Sequence, residues 1–251
     1  MPATDKLGVK IFADGADLDG ILKMYQNPMI KGFTTNPTLM HKAGISDYEV
    51  FARRLLAAVP DRPVSLEVFA DEFDEMERQA KVIASWGKNV NVKIPVTNTK
   101  REFSGPLISE LSRSGVAVNV TAVMTIDQVR QITDSLAMAT PAIISIFAGR
   151  IADTGVDPIP LMVEALKVMK ARPKAELIWA SPRELLNIFQ ADAIGCHIIT
   201  VTNDVLAKLA LVGKNLEAYS LETVEMFRRD AVAAGYAIRA DAVPAARRAV
   251  G

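Results

Sequence analysis

The chain has one cysteine, Cys196, and two histidines, His41 and His197. A single thiol excludes an internal disulfide framework and fits a reducing compartment. With only two histidines, a histidine-based metal centre is not expected. Charge of neither sign prevails: 29 basic side chains balance 29 acidic ones, and no basic run occurs. That balance argues against a nucleic-acid surface but leaves room for one small anion pocket. No apolar run reaches the ~20 residues of a membrane span. The first residues, Met1-Pro2-Ala3-Thr4-Asp5-Lys6, are polar and lack the apolar stretch of a signal peptide. The expectation is a soluble, cytoplasmic protein with no membrane partner. Also missing are a Gly-x-Gly-x-x-Gly after the first apolar run and a Walker A sequence, so neither nucleotide fingerprint is present.

What the chain does have is apolar residues, 50% of its 251, enough to bury a large core. They fall in short runs that alternate with amphipathic segments. Strands are expected at about 9–13, 31–35, 64–69, 90–94, 116–121, 142–147, 175–180 and 197–201, most of them apolar throughout, as parallel strands buried on both faces are. Between them the apolar positions recur with helical spacing, as in Tyr48 to Ala58. Asp71-Glu72-Phe73-Asp74-Glu75 opens another helix with acids in its first turn, where the helix dipole favours them. Eight β/α units predict a single (β/α)8 TIM barrel; a doubly wound sheet is the competing architecture. No Ser- or Gly-rich linker divides the chain, so residues 1–251 read as one domain. After the eighth unit an extra C-terminal helix is expected at about 216–235, with Leu221, Val224, Phe227 and Ala231 on one face and Gly235 placed to end it. Residues 236–251 read as a flexible tail. Cys196, in Ala-Ile-Gly-Cys-His-Ile-Ile, sits where a helix end enters a strand and reads as a packed core cysteine rather than a catalytic thiol.

Active sites of such barrels lie at the carboxyl ends of the strands. There the first strand offers Asp14, the second Thr34 and Asn36, the third Glu67 and the fourth Lys93. The fifth offers Asn119 and Thr121, the sixth Ser145 and Arg150, and the seventh Ser181 and Arg183. Lys93 is the sole charge in Val90-Asn91-Val92-Lys93-Ile94-Pro95-Val96. Burial disfavours an ammonium, and a free amine at a strand end is what Schiff-base chemistry on a carbonyl requires; snorkelling, or pairing with a carboxylate, is the structural alternative. Each of the others taken alone also fits a cap or turn. Their convergence is harder to explain as structure, because unpaired buried charges are costly.

All of those residues except Asp14 and Glu67 lie within Gly32-Phe33-Thr34-Thr35-Asn36-Pro37-Thr38, Val92-Lys93-Ile94-Pro95, Asn119-Val120-Thr121, Ser145-Ile146-Phe147-Ala148-Gly149-Arg150-Ile151 and Ala180-Ser181-Pro182-Arg183. In order and spacing the set resembles the transaldolases, in particular the short subfamily that includes fructose-6-phosphate aldolases, over about the first 215 residues. The resemblance implies that Lys93 forms the Schiff base with a ketose phosphate, that Asp14 takes the proton next to the bond that breaks, and that Glu67, Thr121 and a water shuttle protons. It implies that Thr34, Asn36, Asn119, Ser145 and Phe147 surround the dihydroxyacetone unit, and that Arg150, Ser181 and Arg183 grip the anionic end. No cofactor is implied, and the partners are sugar phosphates and further copies of the chain, as a pentamer or decamer. Glu67 and Phe147 match the transaldolase branch, where the aldolases have glutamine and tyrosine. Pro182 departs from the family, which has an aromatic there, so an anion other than phosphate stays open. A fructose-6-phosphate aldolase and a non-catalytic sugar-phosphate-binding barrel are the competing readings.

Overall fold

In the computed structural model residues 6–238 are described. Residues 6–210 belong to one compact unit and residues 211–238 to a second. In the first unit β1 (Lys10–Asp14), β2 (Ile30–Thr34), β3 (Val64–Glu67), β4 (Val90–Pro95), β5 (Val118–Val123), β6 (Ala142–Ile146), β7 (Ala175–Trp179) and β8 (Ile198–Thr202) pair in sequence order, and β8 returns to β1. Every pairing is parallel. This is the closed (β/α)8 barrel, not the open sheet. Closure leaves no edge strand, so the strands read as apolar on the outer face, where helices pack.

The helices between the strands are α1 (Leu18–Tyr25), α2 (Pro37–Lys42), α3 (Tyr48–Ala58), α4 (Phe73–Ala84), α5 (Gly105–Arg113), α6 (Ile126–Ser135), α7 (Ala148–Asp153), α8 (Ile159–Met169) and α9 (Leu186–Ala193); α10 (Asn203–Ala207) follows β8. Their starts follow local chemistry. Asp17, Asn36, Asp47 and Thr125 each accept from a backbone N–H of the first turn.

Six strands fall within one residue of their expected bounds and two depart from them by two. The third was expected to run to 69 but stops at Glu67, because the amides of Phe69 and Ala70 donate to Gln79 Oε1 at 2.8 and 3.0 Å instead of to a strand. The fifth runs two residues further than expected, through a bulge where Ala122 takes φ 62° and the register with β6 shifts.

Along each strand alternate side chains enter the barrel. Phe12, Ile143, Ile178, Ala180 and Ile198 pack together there with Phe147. A Cβ on Gly32 would lie 2.6 Å from the Phe12 ring, so glycine in β2 is what lets that ring fill the barrel. Two residues further along the inward-facing positions turn polar: Asp14 after Phe12, Ser145 after Ile143, and Thr200 after Ile198. The apolar layer is the floor beneath those groups.

Cys196 is buried as expected, its Sγ 3.4 and 3.3 Å from the carbonyl oxygens of Leu177 and Ile198, and burial pushes its thiol up to about 12. The second unit contains α11 (Leu216–Ala233), which starts earlier than its apolar stripe because Asn215 caps it, accepting from Ala218 N at 3.0 Å. Gly235 takes φ 67° just past its end, the conformation a helix-terminating glycine supplies. The expected tail falls, from residue 239 on, outside the described residues. No described helix is long and apolar enough to cross a membrane.

Candidate active site

Lys93 is 7% exposed. Register sets it level with Glu67 on one side and Asn119 on the other. Its Nζ donates to Glu67 Oε2 at 2.8 Å and to the Thr35 carbonyl at 2.9 Å. The sequence presents a solitary charge in an apolar run. The fold supplies the partner, so the resting amine is hydrogen-bonded to a carboxylate that can take or return its proton.

Glu67 is itself held from an unexpected direction. β2 and β3 pair over only two positions, Phe33 with Val64 and Thr34 with Ser65, so on the side away from β4 the Glu67 peptide has no strand beside it. The hydroxyl of Tyr48, the first residue of α3, fills the gap. It donates to the Glu67 carbonyl at 3.1 Å and accepts from the Glu67 amide at 2.8 Å. Burial pushes the Tyr48 phenol above its ordinary range, so it keeps the proton it donates. The ring is fixed edge-on against Phe69, with centroids 4.6 Å apart.

Asp14 stands at the end of β1 and accepts from Thr34 Oγ1 at 2.8 Å. Burial raises its pKa; the Thr34 bond and the charge of Lys93 oppose that, while Glu67 adds to it. Asn119 donates to Ser65 Oγ at 3.0 Å and accepts from Ser145 Oγ at 2.7 Å, a buried chain across three strands. Thr121 is also buried, and its Oγ1 has no hydrogen-bond partner among the described residues. A buried hydroxyl without a partner on a cavity wall is suited to a water or a substrate oxygen. Asn36 lines the same cavity, but its Oδ1 accepts from Leu39 N at 2.9 Å to cap α2, leaving only its amide donors for a ligand. The helix-entry reading of Asn36 therefore holds.

At the mouth, Arg150 lies 5.7 Å from the Phe147 ring centroid. Arg183 is held by both oxygens of Asp153, with its Nε 3.0 Å from Oδ1 and its Nη2 on Oδ2. That pairing holds the Asp153 carboxyl below its ordinary range. The backbone amide of Arg183 donates to Asn187 Oδ1 at 2.8 Å. Ser181 takes φ 58°, and its carbonyl oxygen lies 1.5 Å from where a Cβ on Gly149 would stand. Only glycine at 149 lets this turn close over α7.

All twelve site residues expected from the sequence line one cavity of about 530 Å³ at the carboxyl ends of the strands. Sequence reasoning missed Tyr48, Asp153 and Thr200. Thr200, inward-facing on β8, was legible from strand alternation; Asp153 lies three residues after Arg150 in α7, one helical turn on. Tyr48 gave no signal, since its role depends on how far β2 and β3 pair.

Fold and site together define a (β/α)8 barrel with a paired lysine, a second carboxylate and two arginines in one cavity. The profile of the Transaldolase/Fructose-6-phosphate aldolase family matches residues 11–244, and the chain belongs to that family. It is 37% identical over 202 residues to a "Probable transaldolase" of Dehalococcoides mccartyi, covering 80% of this chain and 90% of the relative. It is 34% identical over 215 residues to "Probable transaldolase 2" of Listeria monocytogenes, covering 84% and 94%. Among solved structures, a dihydrodipicolinate synthase from Rhodopseudomonas palustris superposes with a TM-score of 0.55 at 16% identity, covering 80% of this chain and 71% of that one. That likeness speaks to the fold alone.

Proposed function

We propose that the protein is a transaldolase that moves a dihydroxyacetone unit from a ketose phosphate, such as fructose 6-phosphate, to an aldose phosphate through a Schiff base on Lys93. The observation that carries this reading is the 2.8 Å contact between Lys93 and Glu67 in a cavity that also holds Asp14. Glu67 takes a proton from the Lys93 ammonium, and the amine adds to the ketose carbonyl. The same proton, returned to the carbinolamine oxygen, lets it leave as water. Thr121 binds the water that later reverses this step.

Asp14 then removes the proton of the C4 hydroxyl. The C3–C4 bond breaks, its electron pair moves into the iminium, and the aldose leaves. An enamine remains on Lys93. The acceptor aldehyde takes the enamine carbon, and its oxygen receives the proton back from Asp14. Asn119 and Ser145 hold the hydroxyls of the three-carbon unit, Thr34 and Phe147 flank it, and Asn36 contributes its amide. Arg150, Ser181 and Arg183 bind the anionic end. No cofactor is required, because the iminium is the electron sink.

Borohydride reduction with fructose 6-phosphate, followed by peptide mass mapping, should place a three-carbon adduct on Lys93. Lys93→Met should fold and give neither adduct nor turnover. An adduct on another lysine, or turnover by the variant, would sink the mechanism.

The same reading places the protein in the cytoplasm and as a ring of subunits, with the apolar stripe of α11 docked on a neighbouring copy. Light scattering of the chain ended after Asn215 should then give smaller particles than the full chain; equal subunit numbers would mean that α11 packs on its own barrel.

A further inference from the structure

Thr200, on β8, is buried and lines the cavity, yet the chemistry above gives it no part. Its hydroxyl touches that of Thr34, and Thr34 donates to Asp14 Oδ1 at 2.8 Å. Three strands thus contribute one hydrogen-bonded chain.

A hydroxyl carries one proton, and an ionised carboxylate only accepts. The proton of Thr34 is committed to Asp14, so toward Thr200 the Thr34 oxygen acts as acceptor. Thr200 must be the donor there. The chain therefore has a single sense, from Thr200 to Thr34 to Asp14. Its end occupies Asp14 Oδ1 and leaves Oδ2 to receive a proton from elsewhere.

We propose that Thr200 is a positioning residue: it keeps Thr34 oriented as a donor to Asp14 and so selects Oδ2 as the oxygen that takes the substrate proton. The proposal rests on Asp14 being the proton acceptor of the transfer. A threonine that merely fills a strand would be replaced by valine at little cost, since the two have the same branching. A threonine that directs a relay would not. Without its donor, Thr34 is free to turn toward the cavity, and Asp14 loses support for its charged form.

Other groups also act on Asp14. Lys93 on β4 favours its charge and Glu67 on β3 opposes it. Asp17 before α1, Lys42 of α2 and Asp204 of α10 line an adjoining hollow that Asp14 borders. None of these is altered by a change at Thr200, so a shift seen on its removal reports the relay.

The test follows the Asp14 carboxyl carbon by NMR in full-length protein labelled with ¹³C-aspartate, assigned with Asp14→Asn. In Thr200→Val the carboxyl should titrate at higher pH than in the wild type, and Thr200→Ser should restore it. Transfer by Thr200→Val should fall several-fold in kcat with little change in KM. Added to Thr34→Val it should have no further effect, as expected of two residues in one chain. An unmoved Asp14 titration, no recovery with Ser, or additive losses would each overturn the proposal. Should Thr200→Val not fold, Thr200→Ala against Thr200→Ser decides the same question. The NMR readout needs no turnover. A failure of the relay is therefore distinct from a failure of the transaldolase reading, which the Lys93 adduct decides.

Discussion

The Tyr48 hydroxyl takes the place of a missing strand beside Glu67, donating to its carbonyl at 3.1 Å and accepting from its amide at 2.8 Å. One side-chain atom thereby satisfies both backbone groups of the residue that pairs with Lys93. The consequence is mechanical. The carboxylate that faces the lysine is anchored by a helix as well as by its own short strand.

Tyr48→Phe removes that atom and leaves a buried amide and carbonyl unpaired. It should lower stability by about 1–3 kcal/mol, read from urea denaturation. It should also slow formation of the Lys93 adduct more than it weakens substrate binding. An adduct rate equal to that of the wild type would mean that β3 holds Glu67 unaided.

Phe147 forms part of the apolar layer beneath the polar groups and borders the cavity, with no hydroxyl to offer a bound carbanion. Transfer to an acceptor aldehyde should therefore exceed release of free dihydroxyacetone. Phe147→Tyr should raise release by placing a proton donor there. Equal cleavage of fructose 6-phosphate with and without an acceptor would favour the aldolase alternative.

Arg183 grips Asp153 with two nitrogens, and Asp153 also feels the charge of Arg150. Arg150→Ala and Arg183→Ala should each raise KM for phosphorylated substrates, at a cost of roughly 1–3 kcal/mol. That is below the figure for a fully buried pair, because these guanidinium groups are solvent-exposed. Asp153→Asn should reproduce part of the Arg183 effect by freeing its fork. Reaction with unphosphorylated dihydroxyacetone as donor should change little in all three. Equal losses on it would place the arginines in the catalytic core.

His197 Nδ1 accepts from the Leu177 amide at 3.0 Å, which requires the neutral ring, and burial lowers the pKa of the imidazole. The unfolded chain therefore binds a proton at higher pH than the folded one. Stability should fall as pH drops below the unfolded value of about 6.5, and level off once the folded ring is also protonated. His197→Asn keeps an acceptor without titrating. Melting temperatures across that window should fall less in this variant than in the wild type, and identical slopes would remove His197 as the cause.

Much of this protein was fixed by local pattern. Alternation of apolar runs and amphipathic segments located eight strands within about two residues, because parallel strands covered on both sides must be apolar throughout. Since barrel sites gather at strand ends, the polar residues closing seven of those runs are the same ones that line the cavity. Pairing lay beyond that pattern. Nothing near Lys93 in the chain marks Glu67 as its partner; the β3–β4 register does. Nor does anything near Arg183 foretell that Asp153, thirty residues earlier, holds its fork. The short β2–β3 pairing alone creates the place that the Tyr48 hydroxyl fills. Burial and periodicity are properties of short segments and can be read one segment at a time. Hydrogen bonds and ion pairs depend on distances of a few ångströms between segments far apart in sequence, and closure of the barrel sets those distances.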